Sequence, residues 1–498
     1  MTTPLQDVAR GFAAALPASV ELPAGAGKTE LLAATVEAIT DGSGRVLVLT
    51  HTNAGVHAIR SRLARFGVQA GFKVMTITSF GFTLARSYPD LAQLRVPPVP
   101  QWSDSSQYIA AAIRVARSRH IVTVLSATYS HLLVDEYQDC NVQHHELVEA
   151  LTEAIPLTGV LGDPLQAIFG FAEPLPSWPS VAERFPEHKV PQEPWRWVGH
   201  NEALGKWLTE LRAPLKSLAK LSFEDANLPP GMAFVMDDRT GGALRNAALM
   251  KTPPNESVLV IAGPGKEQAR AKARILNGAY SVMEEIAAEF MHERLAELEA
   301  CPPEGRSTWL FGLVRSCCCP YGGMDSPVAK RLSSGRPAAD LDRPGFEEVL
   351  AALDSVTANP TLSSLANAMD QIAFAPSPRI HSHEAWSDIL AAIRGAIAAG
   401  GDLSVLTTEL AKSRDRIRHS GRSDRRRVVS RTLLVKGLEY DHVIVADLTS
   451  IRDANNLYVA LTRARKSITV IGPSRLLQVT ETPLTPRPKR NSSRRPPA

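Results

Sequence analysis

The stretch SVELPAGAGKTELLAA, which begins at Ser19, restricts the fold of this chain more than any other. A β-branched apolar run enters a loop of small residues, and a helix-forming run starts directly after it. The order nearly matches the phosphate-cradling pattern G-x-x-x-x-G-K-[ST], with Leu22 where the first glycine belongs. Backbone N–H groups converge on a phosphate only where side chains do not intrude, so Ala24, Gly25, Ala26 and Gly27 form the expected cradle. Lys28 is then expected to reach the β- and γ-phosphates of a nucleotide, and Thr29 to offer a hydroxyl to Mg²⁺. Leu22 falls at the strand exit, where an apolar side chain packs in place of a glycine. Such a loop needs a strand to deliver it and a helix to leave it, which points to an α/β fold with a parallel sheet.

Two further strand ends extend the pattern. HLLVDEYQDCN ends an apolar run in Asp135 and Glu136. Adjacent acids there suit nucleotide hydrolysis: the first holds Mg²⁺ through water, and the second orients or deprotonates the attacking water. LTGVLGDPLQAIFGF closes another strand with Gly162-Asp163, and Gln166 follows. A neutral amide near a γ-phosphate both donates and accepts, so Gln166 is expected to distinguish ATP from ADP.

The candidate strands SVELP, RVLVLT, FKVMTIT, HLLVDE and LTGVLGD are mostly continuous apolar runs, as parallel strands covered on both faces should be. QYIAAAIRVARSRHIVTVL interrupts them and predicts a short helical insertion over about residues 86–130. Strand signals resume after Trp197 in MAFVMDD and SVLVIAGPGKEQARAKARIL. They fade from about 281 to 418, where Ala- and Leu-rich helical segments dominate, and return in RRVVSRTLLVKGLEYDHVIVADL and SITVIG. The simplest organisation is one α/β domain over 1–195 and a second over 196–280 and 419–480. A helical domain over 281–418 is inserted in the second, and a basic, Pro-rich, disordered tail covers 481–498.

Composition removes other classes. No apolar run approaches the roughly 18 residues a membrane span needs. The N-terminus has no basic region followed by an apolar run, so no signal segment is expected. Five cysteines, three of them adjacent in RSCCCPYGG, suit neither a disulfide framework nor paired zinc ligands, and a reducing cytoplasm is the expected setting. No neighbouring Cys or acid completes a metal-ligand set around His144-His145 or around His381 and His383. The formal net charge of +4 weakly favours an anionic partner.

Taken in order, PAGAGKT, VLTHTNAGVHAIRSRL, TITSFGFTLAR, VDEYQD, GDPLQAIFGF, PWRW, VKGLEYDHVIV and YVALTRAR resemble motifs I, Ia, Ib and II to VI of the UvrD/Rep-like helicases of superfamily 1. The resemblance runs from Gln6 to about Gly472. It implies two RecA-like P-loop NTPase domains with parallel sheets, each carrying a mainly helical insertion, with ATP and Mg²⁺ bound between them. Gln6 takes the place of an adenine-reading glutamine, Trp195 of an aromatic that stacks on adenine, and Glu439 of a glutamate near the ribose. Glu30 stands where relatives often place an arginine beside the adenine. Arg196 and Arg463 match two arginines that reach the γ-phosphate from the second domain. There they would stabilise charge on the phosphate oxygens only as the domains close.

A translocase on single strands needs sequence-blind contacts, and groups of that kind adjoin the catalytic motifs. Thr50, Thr52 and Asn53 follow one strand, and Thr78 and Phe80 another. Phe169 and Phe171 trail Gln166, which would put a phosphate sensor and a base-stacking ring on one loop. By resemblance, Thr432, Lys436 and Gly437 of motif V complete the expected DNA contacts, while His51 replaces a phenylalanine that stacks bases in relatives. The expectation is an ATP-dependent 3′→5′ DNA helicase or translocase on single-stranded or tailed DNA, in repair or phage defence. A second reading stays open, a DNA-gated ATPase switch that recruits or activates a nuclease partner. Short insertions and compact size motivate it, and the chain also loosely resembles the small helicase subunits of antiphage systems such as Gabija. An RNA substrate also stays open, because nothing in the sequence reads a 2′-OH.

Overall fold

The computed structural model describes residues 4–97, 104–170, 175–285, 288–320, 325–420 and 425–482. Phe171 and nearly all of the basic tail lie outside the described residues. The chain forms two compact units. One comprises Met1–Ala219, Asp453–Thr462 and Gln478–Ala498, and the other Lys220–Arg452 and Arg463–Leu477.

The first unit is built on β1 (Ala18–Glu21), β2 (Val46–Thr50), β3 (Phe72–Thr76), β4 (His131–Val134) and β5 (Leu157–Gly162), in the order β1-β5-β4-β2-β3. Val46 and Val48 enter one core with Val20 and Leu133, while Leu47 and Leu49 enter another with Leu132 and Val134. Successive strand side chains point to opposite faces, so this double burial is why the strands read as unbroken apolar runs. Each pairing in the sheet is parallel. The C-terminal ends therefore share one edge, and the loops leaving that edge carry the candidate residues. Between β3 and β4 lie the helix Ile77–Ser87 and then, within the span expected for the insertion, the helices Pro89–Ala92, Ser105–Ala116 and Arg119–Thr128.

The second unit holds a six-stranded parallel sheet in the order Met232–Met236, Ala464–Gly472, Tyr440–Val445, Val258–Ile261, Arg427–Ser430, Ser281–Val282. Ser281 was expected to open the helical insertion, but Ser281–Val282 is an edge strand paired with Val428 and Val429. The helices from Glu289–Ala300 to Leu406–Ser420 follow and share a core of their own, running from Ala288 to Leu410. The adjacent cysteines are free thiols; Cys317 and Cys318 belong to that core. Burial raises the pKa of all three, and Cys319 reaches about 11, so they are packing groups and not reactive thiolates. Among the described residues no helix is long and apolar enough to cross a membrane.

The units do not divide at the expected 195/196 boundary. Residues 196–219 and the helix Ala454–Leu461, which carries the first half of YVALTRAR, fall in the first unit.

Candidate nucleotide site and strand-contact surface

After β1, Gly25 and Gly27 adopt φ of +74° and +81°, a region that side chains disfavour. Gly27 caps the helix Lys28–Asp41, and no side chain bonds to the cap. The first-turn N–H groups are therefore left for an anion, where the helix dipole also favours negative charge. Lys28 is buried, with Nζ 3.6 Å from Glu136 Oε2. Burial opposes its charge, but Glu136, Asp135, Asp163 and Asp139 together outweigh that cost and raise its pKa.

Asp135 leaves β4 buried, and its Oδ2 lies 3.5 Å from Thr29 Oγ1. Burial first, and Glu136 second, push its carboxyl up to about 7 against the pull of Lys28. The pocket thus gathers more negative charge than one lysine neutralises. A hydroxyl and a carboxylate of this kind are hard oxygen donors, so Thr29 and Asp135 would fit Mg²⁺. When bound, Mg²⁺ would neutralise charge on phosphate oxygens. Glu136 sits at φ +54°, a left-handed conformation that costs a non-glycine residue roughly 1–2 kcal/mol. Its N–H donates to Asp135 Oδ1 at 2.9 Å, and the Gln138 amide donates to its carboxylate. The second acid is therefore held in a fixed, strained turn beside Lys28.

The loop after β5 is tied to this turn. Asp163 N–H donates to Gln138 Oε1 at 3.0 Å, and Gln166 Nε2 donates to Asp163 Oδ2 at 2.9 Å. Arg212 donates to Asp163 Oδ1 at 2.8 Å, to Glu21 Oε1 at 2.5 Å and to Tyr458 Oη at 2.8 Å. Tyr458 Oη also accepts from Ala24 N–H at 3.1 Å. From the same helix, Asn455 Nδ2 donates to the carbonyls of Pro164 at 3.0 Å and Ala167 at 2.8 Å. One short helix thus holds both the phosphate loop and the Gln166 loop. Burial opposes the charge on Arg212, but Asp163, Tyr458 and Glu21 raise its pKa on balance. Sequence reasoning missed Gln138, Arg212, Asn455 and Tyr458. Tyr458 and Asn455 lie in or beside a motif already noted, whereas Arg212 in ELRAPLK carries no local signal.

Arg196 and its flanking tryptophans lie against the cradle. Arg196 N–H donates to Gly25 O at 3.1 Å, and Nη1 donates to Thr462 O at 2.6 Å. Its guanidinium carbon lies 5.6 Å from the centroid of the buried Trp197 ring. A Cβ on Gly25 would come within 2.7 Å of that ring, so close approach demands glycine there as strongly as the backbone angle does. Arg196 therefore belongs to the same unit as the phosphate loop, contrary to its expected place in the second domain. Trp195 is 61% exposed, and a Cβ on Gly27 would stand 3.4 Å from it, so an open aromatic face borders the cradle. In the second unit Arg463 is buried and donates to Leu438 O at 3.1 Å; Glu439, next in sequence to Leu438, is exposed.

Other expected nucleotide contacts are placed less favourably. Gln6 donates to Glu37 at 3.4 Å. Glu37 lies two and a half turns beyond Lys28, roughly 14 Å along the helix. Glu30 is bound by Arg62 Nε at 3.0 Å and by Arg65, so its carboxylate serves the helix Asn53–Arg65.

Several expected DNA contacts require correction. Thr50 ends the central strand β2 and is fully buried, because both faces of that strand are covered. Phe80 is a core residue packed with Ile77 and Leu84, and Thr432 is also buried. Thr52 caps its helix, accepting from Gly55 N–H at 3.0 Å, and Asn53 is that helix's first residue. Thr78 Oγ1 lies 3.4 Å from His144 Nε2. The Phe169 ring lies 5.7 Å from that of His51. In motif V, Lys436 is half-buried and Gly437 is exposed at φ +81°.

The UvrD/REP helicase N-terminal domain family matches residues 101–177, and the UvrD-like helicase C-terminal domain family matches residues 434–471. The first span includes Asp135, Glu136 and Gln166, and the second Lys436, Glu439 and Arg463. Lys28 and Arg196 lie outside both and stand on the geometry above. No curated protein matches the chain. Among solved structures, the Pif1 helicase from Candida albicans aligns over 95% of this chain and 96% of its own, at 12% identity and a TM-score of 0.38.

Proposed function

We propose that the chain, which matches UvrD-like helicase families over residues 101–177 and 434–471, is an ATP-hydrolysing DNA helicase of the UvrD/Rep-like kind that moves 3′→5′ along single-stranded DNA. In this reading Lys28 and the cradle of Gly25 to Gly27 bind the triphosphate, while the Ala24 N–H is held by Tyr458. Thr29 and Asp135 hold Mg²⁺, and Glu136 positions and deprotonates the attacking water. Gln166 reports the γ-phosphate, Arg196 and Arg463 offset charge on it, and Trp195 stacks on the adenine. The observation that supports this most is the cluster of buried Lys28 and Asp135 with half-buried Thr29 and Glu136 at the mouth of an uncapped helix. An excess of buried negative charge beside an anion-binding loop is costly to keep, and a divalent cation with a triphosphate relieves it.

The polarity rests on the family resemblance, as does a place in DNA repair or phage defence within the cytoplasm. Strand displacement on duplexes with a 3′ or a 5′ single-stranded tail tests it. Unwinding of the 3′-tailed duplex alone is expected, and equal or preferential unwinding of the 5′-tailed duplex would overturn the polarity. The short insertion between β3 and β4 keeps the second reading in view. ATPase activity that depends on DNA, with no displacement of either duplex until a nuclease partner is added, would favour the switch.

A further inference from the structure

A helix leaves its first N–H groups without partners of its own. At the start of the helix Ala454–Leu461 these groups are all taken. Asn456 N–H donates to the capping carboxylate of Asp453 at 3.0 Å. A capping side chain reaches only the second or third position, so the groups before it need another segment. Residues 478–482 supply one. Ala454 N–H donates to Thr480 O at 3.0 Å, and Asn455 N–H donates to Thr482 Oγ1 at 2.9 Å. The Thr482 hydroxyl donates in turn to Asp453 Oδ1 at 2.8 Å. The chain leaves the first unit after Thr462 and rejoins it at Gln478, so helix and segment belong to one unit. The contrast is the helix Lys28–Asp41, where no side chain bonds to the cap and the start is open to an anion.

What the closed start fixes is Asn455, which is buried, as is Thr482. The Asn455 amide donates to Pro164 O at 3.0 Å and to Ala167 O at 2.8 Å. An amide nitrogen has two hydrogens, and each finds one carbonyl. Those carbonyls bracket the turn Pro164–Gln166, so a single side chain spans the turn that carries Gln166. Tyr458, further along the same helix, serves Ala24 and the phosphate loop instead. The two loops therefore hang from different residues of one helix. A fault at Asn455 falls on the Gln166 turn first.

We propose that Asn455 is a positioning residue for ATP hydrolysis: it sets the turn that presents Gln166 to the γ-phosphate, and the Thr482 hydroxyl sets Asn455. The inference rests on the role given to Gln166 above. Asn455 acts through Gln166, and Thr482 acts through Asn455. Reacting groups tolerate little misplacement, and an error of about 1 Å can slow a reaction roughly 100-fold. Because Tyr458 holds the phosphate loop by a separate bond, loss of the Asn455 amide slows turnover and spares ATP binding. The segment 478–482 thereby becomes part of the catalytic support, although it lies outside every motif that touches the nucleotide.

The test is steady-state ATP hydrolysis by the full chain with saturating single-stranded oligonucleotide. Wild type, Asn455→Leu, Thr482→Val and Thr482→Ser are compared, each checked for folding by thermal unfolding. Asn455→Leu keeps the size of the side chain and removes both donors. Its kcat is expected to fall about 10- to 100-fold, with the KM for ATP within about two-fold of wild type. Thr482→Val keeps the shape and loses the hydroxyl, so its kcat should fall about 3- to 10-fold, again with little change in KM. Thr482→Ser restores the hydroxyl and should match the wild type within about two-fold. If Asn455→Leu does not fold, the two Thr482 variants carry the test. Wild-type kcat in Asn455→Leu and Thr482→Val would overturn the inference. So would a rise in KM as large as the fall in kcat, because a merely structural loss displaces Tyr458 and the phosphate loop with it. A Thr482→Ser protein as slow as Thr482→Val would overturn the part given to the hydroxyl. A wild-type chain that hydrolyses no ATP would overturn the helicase reading itself.

Discussion

The hydroxyl of Tyr458 accepts a hydrogen bond from the backbone N–H of Ala24 at 3.1 Å, joining the motif VI helix to the residue that leads into the phosphate cradle. The same oxygen receives Arg212, whose other contacts are Asp163 and Glu21. Burial first, and Asp163 second, raise the Tyr458 pKa, so the phenol stays protonated as this bridge requires. Tyr458→Phe leaves the buried Ala24 N–H and one N–H of Arg212 Nη1 without this acceptor, while the same nitrogen keeps its bond to Asp163 Oδ1. The expected cost is about 1–3 kcal/mol in stability, read from urea unfolding, with a lower kcat for ATP hydrolysis. An unchanged unfolding midpoint together with full activity would show that the bridge is incidental.

Gly25→Ala tests the cradle by sterics alone. The new methyl would meet the Trp197 ring at 2.7 Å and Arg196 Cβ at 2.8 Å, on a backbone already at φ +74°. Either the loop or the tryptophan has to move, and overpacking of this kind costs typically 1–3 kcal/mol before strain is added. At least a ten-fold loss of affinity for a fluorescent ATP analogue is expected. Wild-type affinity would mean that the loop does not touch the phosphates.

Glu30→Ala supplies the contrast. Its partners Arg62 and Arg65 are 35% and 64% exposed, so the pairs lie in solvent and are worth at most about 1 kcal/mol. Stability should change little and ATP affinity less than two-fold, since the carboxylate faces those arginines. A large loss of affinity would restore Glu30 as a nucleotide contact.

Asp135 predicts a pH dependence of defined sign. Its folded pKa, about 7, stands above the ordinary 3.8. A raised carboxyl contributes stability that is fully present below 3.8 and is lost as pH rises through 7. The nucleotide-free protein should therefore lose stability between about pH 4 and pH 7, while Mg²⁺ with a non-hydrolysable ATP analogue restores it. The gain in Tm on adding both should grow across that window in thermal unfolding. Asp135→Asn should flatten the growth, and a gain independent of pH in the wild-type protein would contradict the charge-excess account.

Where chemistry imposes a local pattern, the fold and site were legible in the sequence. Gly25, Gly27 and Lys28 had to follow a strand and open a helix, and Asp135 and Glu136 had to leave a buried strand. The parallel sheets were visible because strands covered on both faces, such as Val46–Thr50, are apolar at every position. The same rule hid the fate of Thr50, since a hydroxyl ending a central strand is buried like its neighbours. Phe80 was misread for a related reason: its place in the helix Ile77–Ser87 sends it into the core, and only the packed structure reveals that face. Arg212 was invisible because its partners Glu21, Asp163 and Tyr458 come from three distant segments. The place of Arg196 could not be read either, because Trp197, wedged against Gly25, fixes it beside the cradle.

The central claim is that a strand of DNA drives hydrolysis at the cluster around Lys28. Steady-state ATPase measured with and without a single-stranded oligonucleotide tests it most directly, using the wild-type protein and Lys28→Ala in parallel. The account predicts at least about ten-fold stimulation of the wild type, a free-energy effect of about 1.4 kcal/mol on the barrier, and no activity in the variant under either condition. Hydrolysis that ignores the oligonucleotide, or a Lys28→Ala protein that still responds to it, would contradict the account.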